Sequence, residues 1–194
     1  MAHRTLTIIR EEHAALAAVL KSIVLLLQQH RRQRTLPDFR ALRALIFYLD
    51  EFPEKKHHRK ESQLLFPKLR ARTPLSRDVL DRLDAEHDLG ERLIGELGRD
   101  LLAFEMIGEP RREAFEQAAQ RYYDFYMAHM RVEEEHILPL AERSLTEDDW
   151  RRLDEEFVQN RDPMTGHAPD VDYRAFFSHL VDIVPAPLGF GTAA

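Results

Sequence analysis

The chain of 194 residues contains no cysteine. This absence excludes disulfides, iron–sulfur clusters and thiolate zinc sites, so any bound metal must take nitrogen and oxygen ligands. Glycine is scarce, with 7 residues, and no stretch shows the alternation of apolar and polar residues that is typical of β-strands. Together with 44% hydrophobic and 32% charged residues, these absences favour a globular all-α protein.

Long apolar runs and an excess of positive charge are also missing. The longest apolar run near the N-terminus, Ile23 to Leu27, is too short for a signal peptide or a membrane span. We therefore expect a cytoplasmic protein without membrane contact. With 28 Lys and Arg against 34 Asp and Glu, the net charge of -6 gives no electrostatic reason to bind nucleic acid. Small ligands or proteins are the expected partners.

Four segments carry apolar residues at intervals of three and four, which is the spacing of one buried helix face. The first runs from Leu6 to Leu27 and the third from Leu80 to Leu101. In each of these two segments a histidine, His13 or His87, occupies one position of the apolar stripe. The second segment should be kinked or interrupted by Pro53.

Short polar connections between these segments predict an up-down-up-down four-helix bundle over residues 1–144. The pattern changes in residues 145–194, where Thr146 should cap one short helix and Tyr173 to Ile183 should form another. A Pro- and Gly-containing end follows at Pro185 to Gly191. We predict a C-terminal helical extension packed on the bundle. The alternative is that this extension makes a homo-oligomer contact.

One short pattern, a histidine and a glutamate four residues apart followed by a proline, occurs twice: His57-x3-Glu61-x5-Pro67 and His129-x3-Glu133-x5-Pro139. The spacing places the imidazole and the carboxylate of each copy on one helix face, where both can bind a single point in space. Upstream of each copy lies a Glu-His dipeptide, Glu12-His13 or Glu86-His87. The chain therefore looks internally duplicated.

The predicted burial of these side chains favours metal binding. A buried glutamate is costly without a cation, and no lysine or arginine shares the register of Glu61 and Glu133. Four imidazoles and two carboxylates exceed the needs of one four-coordinate zinc, so we predict two ions bridged by the glutamates about 3.5 to 4 Å apart. The ligand types suit iron, manganese or zinc. Open positions on a redox-active pair favour iron over zinc and manganese.

The histidine and glutamate series resembles the ligand series of the hemerythrin-like, or HHE cation-binding, family. The resemblance extends from about Leu6 to Ala141, and Leu65-Phe66-Pro67 and Leu138-Pro139 also resemble the family's usual segment endings. It implies a di-iron site in which His13 and His57 bind one iron. His87 and His129 would bind the other iron, and Glu61 and Glu133 would bridge the two.

One departure weakens the resemblance to a simple oxygen carrier. Oxygen-carrying hemerythrins place a second histidine four residues after the third-helix ligand, where this chain has Glu91. Three readings of Glu91 stay open: a metal ligand, a proton-handling group near bound peroxide, or a carboxylate turned toward solvent. We expect His136 to hydrogen-bond to a ligand, His58 to point elsewhere, and Glu134 to be a surface charge.

Two classes of function fit these residues. The first is a non-haem di-iron protein that binds dioxygen, peroxide or nitric oxide in the handling of oxidative or nitrosative stress. The second is an iron-sensing or iron-binding regulatory module without turnover, whose C-terminal extension reports metal occupancy. A metal-free or zinc-holding bundle is a third reading. The residues do not decide whether the protein is an enzyme.

Overall fold

The computed structural model describes residues 3–183, with the backbone alone for residues 179 and 181–183. Within this range every regular element is helical and no strand occurs, which confirms the all-α prediction. No helix in the same range combines the length and the apolar character needed to cross a membrane. The predicted end at Pro185 to Gly191 lies outside the described residues.

Four helical runs make up residues 4–144. Helix α1 spans Arg4–Gln33 and α5 spans Arg77–Ile107. The run between them is continuous and consists of α2 (Phe39–Leu49), the π-helical segment π1 (Asp50–His57), α3 (His58–Lys60), the π-helical segment π2 (Glu61–Leu65) and α4 (Phe66–Arg72). After a 3-10 turn (Glu109–Arg111), the last run consists of α6 (Arg112–Val132), the π-helical segment π3 (Glu133–Ile137) and α7 (Leu138–Ser144).

Prolines account for the positions of the π-helical segments. Pro67 and Pro139 lack the N–H that would bond to the carbonyl four residues earlier, and π2 and π3 each end two residues before one of these prolines. Pro53 lies inside π1. The predicted kink or interruption at Pro53 therefore takes the form of a widened turn within a continuous helix, a feature that is frequent at functional sites.

The extension consists of α8 (Glu147–Phe157), two 3-10 turns (Pro163–Thr165 and Val171–Tyr173) and α9 (Arg174–Ile183). Thr146 caps α8 as the sequence predicts, because its hydroxyl accepts from the Asp149 N–H and the Asp149 carboxylate accepts from the Thr146 N–H. Helix α8 packs on α1, and α9 packs on α2.

Two apolar clusters form the core at opposite sides of a polar layer. One cluster contains residues of α1, α2, α5, α6 and α9, including Phe104 and Phe115. The other contains the first turns of α1 with residues of α4, α7 and α8, including Phe66 and Trp150. On each of the four helical runs the predicted metal ligands lie near the point where the run passes from one cluster to the other, so the fold brings all of them into one layer.

Candidate metal centre

The six principal predicted ligands share one buried layer between the two apolar clusters. None of them is more than 6% exposed. Each helical run contributes to the layer. Helices α1 and α5 each supply one histidine, His13 and His87, and the other two runs each supply a histidine and a glutamate, His57 with Glu61 and His129 with Glu133.

Glu61 lies between histidines from three different helical runs. Its Oε1 is 3.9 Å from the Nε2 of His13, and its Oε2 is 3.4 Å from the Nε2 of His57 and 3.7 Å from that of His87. The carboxylate therefore approaches members of both predicted histidine pairs, as a bridging ligand must.

Glu133 has the corresponding place in the second half of the chain. Its Oε2 is 3.3 Å from the Nε2 of His13, and its Oε1 is 3.4 Å from the Nε2 of His129 and 3.9 Å from that of His87. Both glutamates thus lie centrally, with the imidazoles around them.

His58 also belongs to this layer, so the expectation that it points elsewhere is wrong. It is buried, its ring stacks on His87 with centroids 4.4 Å apart, and single nitrogen atoms of His58, His87 and His129 lie within 4.8 Å of one another. Adjacent helical residues point about 100° apart, and π1 packs against both α1 and α5. His57 can therefore face α1 while His58 faces α5. The signal in the sequence was Glu54-x3-His58, which repeats the spacing of the main motif.

Unpaired buried atoms converge in this layer. Seven atoms of this layer are buried and have no hydrogen-bond partner within residues 3–183. They are the Nε2 atoms of His13, His57 and His58 and the four carboxylate oxygens of Glu61 and Glu133. Each such atom costs about 1–3 kcal/mol if nothing compensates it. Bound cations would compensate all of them at once, so the residues present fit a metal centre.

The outer nitrogens of the histidines, in contrast, are all paired. The Nδ1 atoms hydrogen-bond to a carboxylate in four cases and to a hydroxyl in one: His13 to Glu134 (2.9 Å), His57 to Glu12 (2.8 Å), His58 to Glu54 (3.2 Å), His129 to Glu86 (2.8 Å) and His87 to Ser62 (2.9 Å). A proton donated from Nδ1 leaves a lone pair on Nε2, and such partners also fix the ring orientation.

The two Glu-His dipeptides have matching roles in this arrangement. Glu12 accepts from His57, and Glu86 accepts from His129, so each glutamate holds a histidine of another helical run. The histidine that follows each glutamate in sequence points into the layer from its own helix. The internal duplication therefore includes the outer partners as well as the inner ligands.

The charges in the layer shift the pKa values in opposite directions. Burial lowers the pKa of His87 to about 3, and repulsion from His129 adds to the shift. For His129 burial also acts to lower the pKa, but the attraction of Glu133 and Glu86 outweighs it and raises the pKa to about 9. Burial, with repulsion from Glu133, raises the pKa of Glu61 well above its ordinary value. The layer thus contains one imidazole, His87, that favours the neutral form and one, His129, that favours the charged form.

A buried carboxylate with two tyrosines supports His58. The hydroxyls of Tyr122 and Tyr126 both donate to Oε1 of Glu54, at 2.6 Å for Tyr122, while Oε2 of Glu54 faces the Nδ1 of His58. Burial raises the pKa of Glu54 to about 7 against the effect of the two tyrosine hydrogen bonds. Gly90 makes room for this network, because a Cβ there would lie 1.7 Å from the hydroxyl oxygen of Tyr126.

The structure also places Glu91, whose role the sequence left open, and two residues that lie differently from the expectation, His136 and Glu134. Glu91 is exposed and lines a cleft of about 290 Å³ together with Glu54, His58 and His87, and it belongs to none of the potential ligand groups in the described part of the chain. His136 is exposed and is not among the hydrogen-bond partners of the buried histidines in residues 3–183, so the expectation that it supports a ligand is wrong. Glu134 was expected to be only a surface charge, but it accepts a hydrogen bond from His13.

Comparison with known proteins gives one match. The family model described as the hemerythrin HHE cation binding domain matches residues 4–141, which confirms the resemblance read from the histidine and glutamate series. No curated protein and no solved structure matches the chain. The matched range contains the whole buried layer and ends before α8.

Proposed function

This chain belongs to the hemerythrin HHE cation-binding domain family, and from that premise we propose that it is a non-haem di-iron protein that binds dioxygen, peroxide or nitric oxide. The observation that carries the proposal is the set of unpaired nitrogen and oxygen atoms that converge in one buried layer. Imidazole and carboxylate donors suit iron, whereas zinc supplies no redox change and manganese prefers oxygen ligands to imidazole. A cytoplasmic role in oxidative or nitrosative stress would use this chemistry, with no nucleic acid or membrane as partner.

The distances favour a division of the ligands between two cations. We assign His13 and His57 to the first cation and His58, His87 and His129 to the second. Glu61 and Glu133 would serve both cations. His58 is the addition to the sequence-based ligand set. It supplies an imidazole to the α5 side of the layer, where oxygen carriers have a histidine and this chain has Glu91.

The arrangement of the helices supports an up-down-up-down four-helix bundle over residues 1–144, followed by an extension from residue 145 onward whose helices α8 and α9 pack on α1 and α2. Only five residues join α1 to α2 and four join α4 to α5, and connections of this length favour antiparallel neighbours. Contacts of α1 with α2 and α6, and of α5 with α2 and α6, are those of a closed bundle.

Bound iron would supply the redox change and the open coordination positions for a small ligand. The protein's own residues hold the histidine rings through their Nδ1 atoms, and the two apolar clusters flank the layer on opposite sides. Glu54 lies beside His58 with two tyrosine hydroxyls, so it can hold a proton next to the second cation position, as proton handling during ligand binding requires.

Metal analysis tests this function directly. We expect about two iron ions per chain after anaerobic loading, and an absorption spectrum that changes when the reduced protein meets dioxygen or nitric oxide. His57→Ala and Glu133→Ala should each lower the iron content, whereas Glu135→Ala, at an exposed neighbouring position, should leave it unchanged. Equal iron content in all four proteins would contradict the ligand assignment, and a spectrum indifferent to every small ligand would contradict the function.

The second candidate is an iron-sensing or iron-binding module without turnover. It is favoured by a specific observation, the hydrogen bond from the extension to Glu12, which in turn holds His57. Binding of iron without consumption of peroxide, combined with altered protease resistance of the extension, would favour this candidate over a di-iron protein that processes its ligand.

A further inference from the structure

The C-terminal extension reaches the metal centre through Glu12. The backbone N–H of Asp162 donates to Oε1 of Glu12 at 3.3 Å, and the Nε of Arg161 lies 3.6 Å from the same oxygen. The other carboxylate oxygen of Glu12 accepts from the Nδ1 of His57 at 2.8 Å. A chain of only two contacts therefore joins the loop after α8 to a predicted metal ligand.

The loop is itself anchored on several sides. The Asp162 carboxylate accepts from the hydroxyl of Tyr48 and from the N–H of Met164 at 2.8 Å. Arg161 also donates to Glu11 at 2.6 Å. The position of the Asp162 N–H opposite Glu12 is thus determined by contacts with both α1 and α2.

Lys60 connects the same loop to the helical run that carries His57. Its ammonium group donates to the carbonyls of Phe157, Gln159 and Asn160, at 2.7 Å for Gln159. Asn160 has a positive φ of 49°, which helps to turn these carbonyls toward one point. The loop after α8 therefore contacts the run that carries His57 as well as the carboxylate that holds this histidine.

Among residues 3–183, no such device contacts the second half of the duplication. Glu86, which holds His129 as Glu12 holds His57, is 25% exposed and is approached by Arg82 of its own helix at 3.4 Å. Glu12 is only 4% exposed. The extension thus covers one member of a duplicated pair, and it lies outside the range that matches the family model.

We propose that the loop around Arg161 and Asp162 is a positioning clamp for His57, and that docking of this loop and binding of the first cation stabilise each other. This inference rests on the proposed two-cation centre. With the loop in place, both oxygens of Glu12 are engaged and the imidazole of His57 has one orientation. Without the loop, Oε1 of Glu12 turns to water and the ring gains freedom that cation binding must remove. Coupling between two sites is reciprocal, so the cation must also favour the docked loop.

The test compares Arg161→Ala with Arg72→Ala. Arg72 also ties the extension to the bundle, through Asp149 at the start of α8, but neither partner contacts Glu12. Changes in partners that orient metal ligands typically cost 10–100-fold in metal affinity, so we expect Arg161→Ala to weaken binding of one of two Co(II) ions by about tenfold, as measured by anaerobic spectroscopic titration. Arg161→Lys should restore part of the affinity, and Arg72→Ala should leave both ions bound as in the wild type.

Hydrogen exchange provides a readout that is independent of ligand chemistry. Co(II) loading of the wild type should slow amide exchange in residues 158–166, and the effect should shrink in Arg161→Ala. If Arg161→Ala proves unstable, Arg161→Gln, which retains most of the side-chain bulk, takes its place. Two bound ions with unchanged exchange in residues 158–166, or equal titrations of Arg161→Ala and wild type, would overturn the clamp while leaving the di-metal function intact. A wild-type chain that binds no cation would contradict both.

Discussion

At the scale of single residues, the carboxylates outside the ligand layer decide how the histidines are presented. Glu134 shows this most clearly, because it is 43% exposed in the side chain and yet accepts from the Nδ1 of His13. Its neighbour Glu135 is also exposed, but no histidine in the described part of the chain hydrogen-bonds to it. A charged residue on the surface of a helix can therefore act on a buried centre through a single hydrogen bond.

We predict that Glu134→Ala lowers the affinity for one cation, whereas Glu135→Ala does not. Loss of the Glu134 carboxylate frees the ring of His13, and a change of about tenfold is typical when such a partner is removed. Because Glu134 is partly exposed, water can replace its oxygen, so the effect should be smaller than that of Glu12→Ala at a buried position. Competition titration with a chelating dye measures all three variants, and identical affinities for Glu134→Ala and Glu135→Ala would refute the role of Glu134.

Gly90 offers a prediction about space. Gly90→Ala would place a Cβ 1.7 Å from the hydroxyl oxygen of Tyr126 and 3.0 Å from an oxygen of Glu54, so we expect a loss of about 1–3 kcal/mol in the free energy of unfolding from overpacking. Gly98→Ala in the same helix is the matched control, since a Cβ there meets nothing within 4 Å. That variant should gain up to about 1 kcal/mol from helix propensity. Urea denaturation measures both, and a neutral Gly90→Ala would show that the tyrosine network yields easily.

At the scale of elements, the cap of α8 stabilises the first turn of the C-terminal extension. Asp149 accepts from the N–H and hydroxyl of Thr146 and from the guanidinium of Arg72. The contact with Arg72 is the largest cause that holds the pKa of Asp149 well below its ordinary value of 3.8. The carboxylate therefore stabilises the folded state only while it is ionised.

We predict that Asp149→Ala loses about 1–2 kcal/mol of stability near neutral pH, the usual cost of a lost cap. A depressed pKa in the folded state gives stability that is present above the unfolded value and is lost as the pH falls through the folded value. The difference between wild type and Asp149→Ala should therefore shrink as the pH falls below about 4. Asp148→Ala, at an exposed position in the same turn, should be near neutral at every pH, and a pH-independent cost for Asp149→Ala would contradict the mechanism.

The sequence predicts the helices well because their apolar spacing and their end signals are local. Thr146 caps α8 as predicted, and the family resemblance follows from the ordered series of histidines and glutamates. The π-helical segments were not predicted, since a proline such as Pro139 can kink, break or widen a helix and tertiary packing selects among these outcomes. His58 was missed although Glu54-x3-His58 repeats the spacing of the main motif, because spacing alone cannot show that one helix faces two neighbours with functional side chains.

The spacing of apolar residues and motifs could not predict contacts between residues that are far apart in the sequence. The Glu12-His13 dipeptide was visible, but the link from Glu12 to Asp162 spans 150 residues, and no local periodicity reports it. Glu134 was misjudged because a helical position on the rim of a layer is neither inside nor outside until the neighbouring helix is known. Six side chains that share the buried layer could therefore be predicted, whereas His58 and the partners that orient the histidines could not.

At the scale of the whole molecule, the ligand layer is a stability cost that a cation removes. Glu61 and Glu133 are both fully enclosed, and their four oxygens are without hydrogen-bond partners among the described residues. Two carboxylates at this proximity repel each other, and removal from water disfavours each charge further. The apolar clusters on either side must supply the free energy that holds the layer together when no cation is bound.

We predict that Glu61→Gln stabilises the metal-free protein by about 1–3 kcal/mol, because the substitution keeps nearly the same shape and removes a carboxyl group that must either ionise beside Glu133 or take up a proton on folding. The same variant should lose the stabilisation by metal, which for the wild type amounts to about 2.7 kcal/mol at a free cation concentration of a hundred times the dissociation constant. Thermal unfolding with chelator and with added Co(II) measures both effects, and Glu135→Gln is the exposed control that should change neither. A Glu61→Gln protein that is less stable than wild type without metal, yet equally stabilised by Co(II), would mean that the carboxylate of Glu61 serves the fold rather than the cations.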